Sequence, residues 1–152
     1  MNSSAWDKFR KQQAAEREQL VRLLSGIQEL VDRCQFSTPS LIEVSALAAT
    51  LHAFYTGLEN IFKRLAAELD ETPVRGDNWH RELLLRMKSA GPNRPALISP
   101  HLYEVLNDYM RFRHVFRNSY SFDLDWRKMA PLVLALAPTF RELESALDEF
   151  VK

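Results

Sequence analysis

The stretch from residue 47 to residue 69 constrains the fold most, because apolar side chains recur there at every third or fourth position. These residues are Leu47, Leu51, Phe54, Tyr55, Leu58, Ile61, Phe62, Leu65 and Leu69. The spacing covers one face of an α-helix, whereas a half-buried strand needs apolar side chains at alternate positions. A long helix that ends near Asp70 is therefore predicted.

The residues before this helix carry two capping signals. Ser37 or Thr38 can act as the N-cap, with Pro39 at the first helical position. Ser40-x-x-Glu43 also resembles a capping box, in which the serine and the glutamate satisfy each other's backbone amides. Both signals predict a helix start close to residue 40.

The remaining segments also predict helices, since glycine occurs only 4 times in 152 residues and no segment alternates cleanly between polar and apolar positions. They are a first helix over 4–34, a third over 79–90, a fourth that starts at Ser99-Pro100 and carries Tyr120 at its end, and a fifth from Asp125 to about 151. The fourth helix carries the apolar series Leu102, Val105, Leu106, Tyr109, Phe112 and Phe116. Pro138 should kink the fifth helix or split it in two. The pattern predicts an all-α antiparallel helical bundle of about five helices, in a single domain over residues 1–152.

The charge balance and the single cysteine limit the partners and the compartment. Lys and Arg together number 20, as do Asp and Glu, so any affinity for a polyanion must come from a local patch. Cys34 has no second cysteine to pair with, which suits a reducing compartment.

The N-terminal segment lacks the apolar core of a secretory leader, and the apolar run at 131–138 is too short to cross a membrane. A cytoplasmic location without membrane association is predicted.

The segment RFRHVFRNSY, which ends at Tyr120, combines three arginines and a histidine with three aromatic rings. On a helix, where each residue turns about 100°, Arg113, Arg117 and Tyr120 lie within about 60° of one another. His114 and Asn118 form an i, i+4 pair on a neighbouring strip. The spacing is typical of one helix face that presents several polar groups together.

Two interpretations of this segment are open from the residue types. The guanidinium groups of Arg111, Arg113 and Arg117 match the geometry of phosphate oxygens. Either Tyr109 or Tyr120 could stack on a base. The histidine of the segment, with an unperturbed pKa of about 6.5, could move protons at neutral pH. The simpler alternative is a helix whose charged face is only solvated.

The residues RHVFRNSY resemble the signature of the HEPN superfamily, and in particular that of the HepT-like toxins of bacterial toxin–antitoxin pairs. The motif of these toxins is Arg-x4-His-x-Tyr, which Arg113, Asn118 and Tyr120 match at all places but one. His114 also fits, because the residue after the motif arginine is often polar. Further similarity lies in LHAFYTGLENIFKRLA (51–66), WHRELL (79–84) and LDW (124–126).

This resemblance spans about residues 40–130 and implies an all-α, HEPN-like homodimer in which the motif helices of two subunits meet in a cleft. Active members are metal-independent endoribonucleases. Their arginine and histidine bind the scissile phosphate of RNA and assist attack by the ribose 2′-hydroxyl group. Their partner is a minimal nucleotidyltransferase antitoxin, which neutralises the toxin by transferring AMP to the motif tyrosine. By position that tyrosine is Tyr120.

Asn118 is the departure from the motif, since an amide can donate a hydrogen bond to a phosphate but cannot exchange a proton near neutral pH. Either His114 replaces the missing histidine, or the chain has weak or no catalysis and still binds RNA, nucleotide or partner. The candidate catalytic residues are Arg113, His114 and Asn118, and the candidate RNA contacts are Tyr109, Arg111 and Arg117. The alternative functions are a non-catalytic module that docks a nucleotidyltransferase or RNA, and a purely structural dimer.

Other candidate residues carry less specific signals. His80 and Arg81 either contribute to the same cleft or lie at the start of a surface helix. Tyr55 and Glu59 either lie near the cleft or form an ordinary i, i+4 pair. His52 lies among apolar residues, as expected of a core or edge histidine. Four histidines and one cysteine without metal-site spacing predict neither a metal nor a cofactor.

Overall fold

Six helices make up the computed structural model, which describes residues 3–120 and 123–152. They are α1 (Ser3–Arg33), α2 (Leu41–Glu68), α3 (Trp79–Met87), α4 (Pro100–Arg117), α5 (Trp126–Leu134) and α6 (Leu136–Phe150). The described part of the chain contains no strand. The all-α fold class predicted from the sequence is therefore confirmed, with one helix more than the five expected.

The first two helices form an antiparallel hairpin. Three ion pairs or hydrogen bonds connect them in reverse order along the chain, namely Arg33–Glu43, Glu16–Asn60 and Lys8–Glu68. The helices approach closely at Gly57 of α2, where an added Cβ would lie 2.5 Å from Cδ2 of Leu20. A glycine at this position lets the Leu20 side chain pack directly against the backbone of α2.

The start of α2 follows the second of the two capping signals. Ser40 is the N-cap, and its side chain accepts a hydrogen bond from the amide of Glu43 while the carboxylate of Glu43 accepts one from the amide of Ser40. Pro39 therefore precedes the N-cap instead of occupying the first helical position, and the prediction of Ser37 or Thr38 as the cap is wrong. A complete capping box satisfies two amides, which a cap one turn earlier would not do.

The predicted break near Pro138 is confirmed, and it lies three residues before the proline. Ala135 separates α5 from α6. Proline has no amide hydrogen to donate to the carbonyl of Leu134, four residues back, and its ring clashes with that carbonyl. The chain avoids the clash by ending one helix at Leu134 and starting the next at Leu136. At the other end, Asp125 caps α5 as predicted, accepting a hydrogen bond from the amide of Arg127.

The third helix is shorter than predicted, because a loop anchored by a buried ion pair replaces its last turn. Arg94 binds both carboxylate oxygens of Asp70, at 2.8 and 2.9 Å, and its side chain is only 1% exposed. The same guanidinium donates to the backbone carbonyl groups of Ser89 and Pro95. These bonds fix the loop between α3 and α4 against the end of α2.

Helix α2 lies at the centre of the bundle and contacts α1, α3, α4 and α5. Its buried side contributes much of one hydrophobic cluster to which all six helices add residues. By length and composition alone α2 would also suit a membrane span. However, 50% of its most apolar 18-residue stretch is buried inside the fold. The core position accounts for the apolar composition. The absence of membrane association stays a prediction.

Candidate functional site

A groove of about 590 Å³ lies between the start of α3 and one face of α4. We call it the arginine groove; it is lined by Asp77, Asn78, His80, Arg81, Tyr103, Asn107, Met110, Arg111, Arg113, His114, Val115 and Arg117. Four of these side chains are arginines and two are histidines, against a single carboxylate, that of Asp77. In a protein with no net charge, this lining makes a local site of positive potential.

A buried carboxylate from α2 lies beneath the groove. Glu59 is 1% exposed, and its two oxygens bind different partners. Nη1 of Arg113 donates a hydrogen bond to Oε1, and Nδ1 of His80 lies 2.6 Å from Oε2. Nη1 of Arg113 is also 3.3 Å from Nδ1 of His80. One glutamate therefore holds the motif arginine and a histidine from another helix next to each other.

Two buried donors near this carboxylate have no hydrogen-bond acceptor. They are the hydroxyl of Tyr55 and Nε of Arg113. Tyr55 lies one turn before Glu59 on α2, and both residues are buried, so they do not form a surface pair. Burial raises the pKa of Tyr55 well above its usual range, and the negative charge of Glu59 adds to the shift. Buried donors are nearly always paired, so these two are exceptions that the contacts within the fold leave unsatisfied.

The motif residues at the end of α4 do not all stay on the helix. The helix ends at Arg117, and Asn118 is its C-cap, with Nδ2 donating to the carbonyl of His114 at 2.8 Å. Tyr120 follows in non-helical chain and is 73% exposed. The expectation that Arg113, Arg117 and Tyr120 share one helix face is therefore wrong for Tyr120, although both arginines line the groove.

Tyr109 does not lie in the groove. Its ring is buried in the core, and its hydroxyl donates to the carbonyl of Leu132 at 2.7 Å. Burial raises the pKa of Tyr109 to about 12. The prediction that Tyr109 stacks on a base is wrong, because the apolar stripe of α4 turns this residue inward. Arg111 and His114, by contrast, are exposed and line the groove.

A family model described as HepT-like protein matches residues 46–152. The chain belongs to the HepT-like family. No curated protein and no solved structure matches the chain significantly. The resemblance noted in the sequence is therefore confirmed at the level of the family, which is related to the HEPN superfamily.

Sequence reasoning missed the cluster of Glu59, His80 and Arg113 in this HepT-like site. His80 and Glu59 were both candidates, but nothing in the sequence indicated that they touch each other and Arg113. Tyr103 and Asn107 were missed altogether. They share a 3-4 register with groove residues of the same helix, in the series Tyr103, Asn107, Met110, His114 and Arg117. Once one of these groove-lining residues is known, the 3-4 spacing identifies the others on the same helix face.

His52 lies on α2 at the edge of the site, as an edge histidine was expected to do. Its ring packs against Phe116, with centroids 5.3 Å apart. Partial burial lowers the pKa of His52, and the positive charges of Arg113 and Arg117 lower it further. Among residues 3–120 and 123–152, no group of three or more His, Cys, Asp or Glu side chains is placed to hold a metal ion.

Proposed function

We propose that this HepT-like protein is a metal-independent endoribonuclease, of weakened activity, that holds RNA by its phosphate backbone in the arginine groove. The observation that carries the proposal is the buried Glu59, which fixes the motif arginine Arg113 beside His80 at the base of a cationic groove. RNA is the polyanion that the resemblance to HepT-like toxins implies, and the toxin role belongs to the same proposal.

The geometry of Arg113 suits phosphate binding. Its side chain is 14% exposed and uses Nη1 for Glu59, while Nε has no acceptor. A guanidinium held by a carboxylate on one side presents its accessible donors in a fixed direction, which favours binding of phosphate oxygens. The exposed guanidinium groups of Arg111 and Arg117 supply further contacts along the backbone.

The second candidate function is a binding module without catalysis. Asn118 favours it, because this residue replaces the motif histidine and its amide serves as a helix cap. An amide does not transfer protons at neutral pH, and general acid–base catalysis typically contributes about 10²–10⁴-fold to a rate. The two candidates agree on RNA binding and differ on turnover.

We expect binding of a single-stranded RNA oligonucleotide to weaken steeply with salt, because each neutralised phosphate releases counterions. Arg117→Ala should lower the slope of log affinity against log salt by about 0.7, the loss of one phosphate contact. The measurement is fluorescence anisotropy at several salt concentrations. Arg127→Ala is the matched control, since Arg127 is an exposed arginine on α5 outside the groove. Equal slopes for the two variants would contradict RNA binding in this groove.

Restoring the motif histidine should increase cleavage. We expect Asn118→His to raise the rate of RNA cleavage by up to about 100-fold, because an imidazole can exchange protons at neutral pH. Cleavage is measured on purified, unmodified protein with a labelled RNA and a chelator present. Ser119→His, which adds an imidazole one residue further along, is the control. No difference between Asn118→His and the wild type would count against position 118 as part of the active site.

The partner in this proposal is a minimal nucleotidyltransferase antitoxin, and Tyr120 is the residue that it modifies. The tyrosine oxygen would attack the α-phosphate of ATP, forming a phosphodiester with AMP and releasing pyrophosphate. The exposure of Tyr120 beyond the end of α4 supports access by a second protein. A homodimer across the exposed end of α4, where Val115 is also exposed, and a cytoplasmic location belong to the same proposal.

Co-expression with a nucleotidyltransferase encoded next to this chain should add the mass of one AMP group. We expect the shift to disappear in Tyr120→Phe and to persist in Tyr103→Phe, which removes a tyrosine hydroxyl inside the groove instead. Intact-mass spectrometry makes the measurement. A shift that remains in Tyr120→Phe would place the modification on another residue.

A further inference from the structure

The contact between Glu59 and His80 fixes which nitrogen of the imidazole carries a proton. A carboxylate only accepts hydrogen bonds, so a separation of 2.6 Å from Oε2 requires a proton on Nδ1 of His80. Nη1 of Arg113, 3.3 Å away, is itself a donor and cannot bond to that nitrogen. In a neutral imidazole, Nε2 then carries the lone pair.

The ring of His80 is partly open to the arginine groove. His80 lines the arginine groove, and its side chain is 30% exposed although Nδ1 faces the buried Glu59. The indole of Trp79 contacts the imidazole at a tilt of 32°, with centroids 3.5 Å apart. The ring is therefore held by a carboxylate at one edge and a neighbouring aromatic ring, which pre-organises it for proton transfer.

We propose that His80 is the general base of the cleavage reaction, an inference that rests on the proposed ribonuclease function. It supplies the proton exchange that Asn118 cannot provide at the motif position. Glu59 acts as a positioning residue, because it sets the tautomer of His80 and the direction of Arg113 with one carboxylate. The arrangement follows the logic of a carboxylate–histidine pair in which the acid orients the base.

The reaction proceeds by proton transfer and displacement at phosphorus. Nε2 of His80 takes the proton of the ribose 2′-hydroxyl, and the 2′-oxygen forms a bond to the phosphorus held by Arg113. The bond from phosphorus to the 5′-oxygen breaks, and that oxygen takes a proton from water. The products are a 2′,3′-cyclic phosphate and a 5′-hydroxyl end. His80 returns its proton to solvent before the next turnover.

The test compares cleavage and binding of one RNA oligonucleotide by His80→Ala and by the control His101→Ala, which removes an exposed histidine of α4 outside the groove. We expect His80→Ala to lower the cleavage rate by about 10²-fold or more and to lower RNA affinity by much less. Added imidazole should restore part of the activity of His80→Ala. Restoration of cleavage by imidazole without a change in the urea denaturation curve would not occur if the side chain only supported the fold.

A second measurement tests the pair of Glu59 and His80 without RNA. ¹⁵N NMR of the histidine side chains should show His80 with a proton on Nδ1 in the wild type, and a shift of the proton toward Nε2 in Glu59→Gln. A neutral His80 that carries its proton on Nε2 in the wild type would overturn the assignment, whatever the cleavage assay shows.

The outcomes separate this inference from the proposed function. If the wild type cuts RNA, His80→Ala cuts equally well and Arg113→Ala does not, the general-base role is overturned and the ribonuclease function stands. If the wild type binds RNA without cutting it, the ribonuclease function is overturned and the base role with it. Loss of cleavage in His80→Ala together with rescue by imidazole supports both.

Discussion

Glu59→Ala is expected to lower the free energy of unfolding by about 3–5 kcal/mol, the cost of leaving one partner of a buried ion pair uncompensated. Glu59 is almost completely buried, and its removal leaves Arg113 at the base of the groove without a counter-charge. His80 loses its acceptor at the same time. The measurement is urea denaturation followed by far-UV circular dichroism.

Glu68→Ala provides the matched control, because Glu68 lies on the same helix and pairs with the well-exposed Lys8. Exposed ion pairs contribute about 0–1 kcal/mol, so this variant should be nearly as stable as the wild type. If the free energies of unfolding of Glu59→Ala and Glu68→Ala differ by less than about 1 kcal/mol, the size of an exposed ion pair, the buried carboxylate does not anchor the site.

Asp70→Ala should lower the free energy of unfolding by a similar amount, about 3–5 kcal/mol, and leave RNA affinity unchanged. Asp70 compensates the guanidinium of Arg94, which is buried between α2 and the loop that follows α3. Arg94 lies outside the arginine groove, so the loss should appear in denaturation and not in binding to the folded protein. Denaturation and fluorescence anisotropy on the same preparation make the comparison.

Asp7→Ala is the control for this second variant, since Asp7 forms an exposed i, i+3 pair with Arg10. It should change stability by less than about 1 kcal/mol. Replacing both partners, in Asp70→Leu with Arg94→Met, should recover much of the lost stability, because a well-packed apolar pair needs no charge compensation. If the double variant has no higher free energy of unfolding than Asp70→Ala, the electrostatic account of this loop is contradicted.

The helices were predictable from local signals, because the physical causes of helix formation lie within each segment. Ser99 and Pro100 start α4 as their chemistry requires, with the Ser99 hydroxyl accepting from the amide of Leu102. Pro138 breaks the last helical segment because proline lacks an amide hydrogen and its ring clashes with the carbonyl four residues back, which is evident from the sequence. Two helices were predicted too long. Helix α4 ends at Arg117 and not at Tyr120, and α3 ends before the loop held by the long-range pair between Asp70 and Arg94, which no local pattern reveals.

The site was predictable only in part, and the case of Tyr109 shows why. The same residue belonged both to the apolar stripe of α4 and to the candidates for base stacking. An apolar stripe at 3-4 spacing faces the core, so the position of Tyr109 on the helix outweighed its residue type. For Glu59 the helix position alone was not enough. This residue lies on α2, but its partners His80 and Arg113 come from α3 and α4. Contacts between helices depend on packing that a single sequence does not state.

The central claim is that the arginine groove cuts RNA without a metal ion, through Arg113. The most direct test incubates purified, unmodified protein with a labelled RNA oligonucleotide in the presence of a chelator and compares wild type with Arg113→Ala. We expect slow cleavage by the wild type, 2′,3′-cyclic phosphate ends on the products, and no cleavage by Arg113→Ala. Cleavage that persists in Arg113→Ala, or a wild type that never cuts, would contradict the claim.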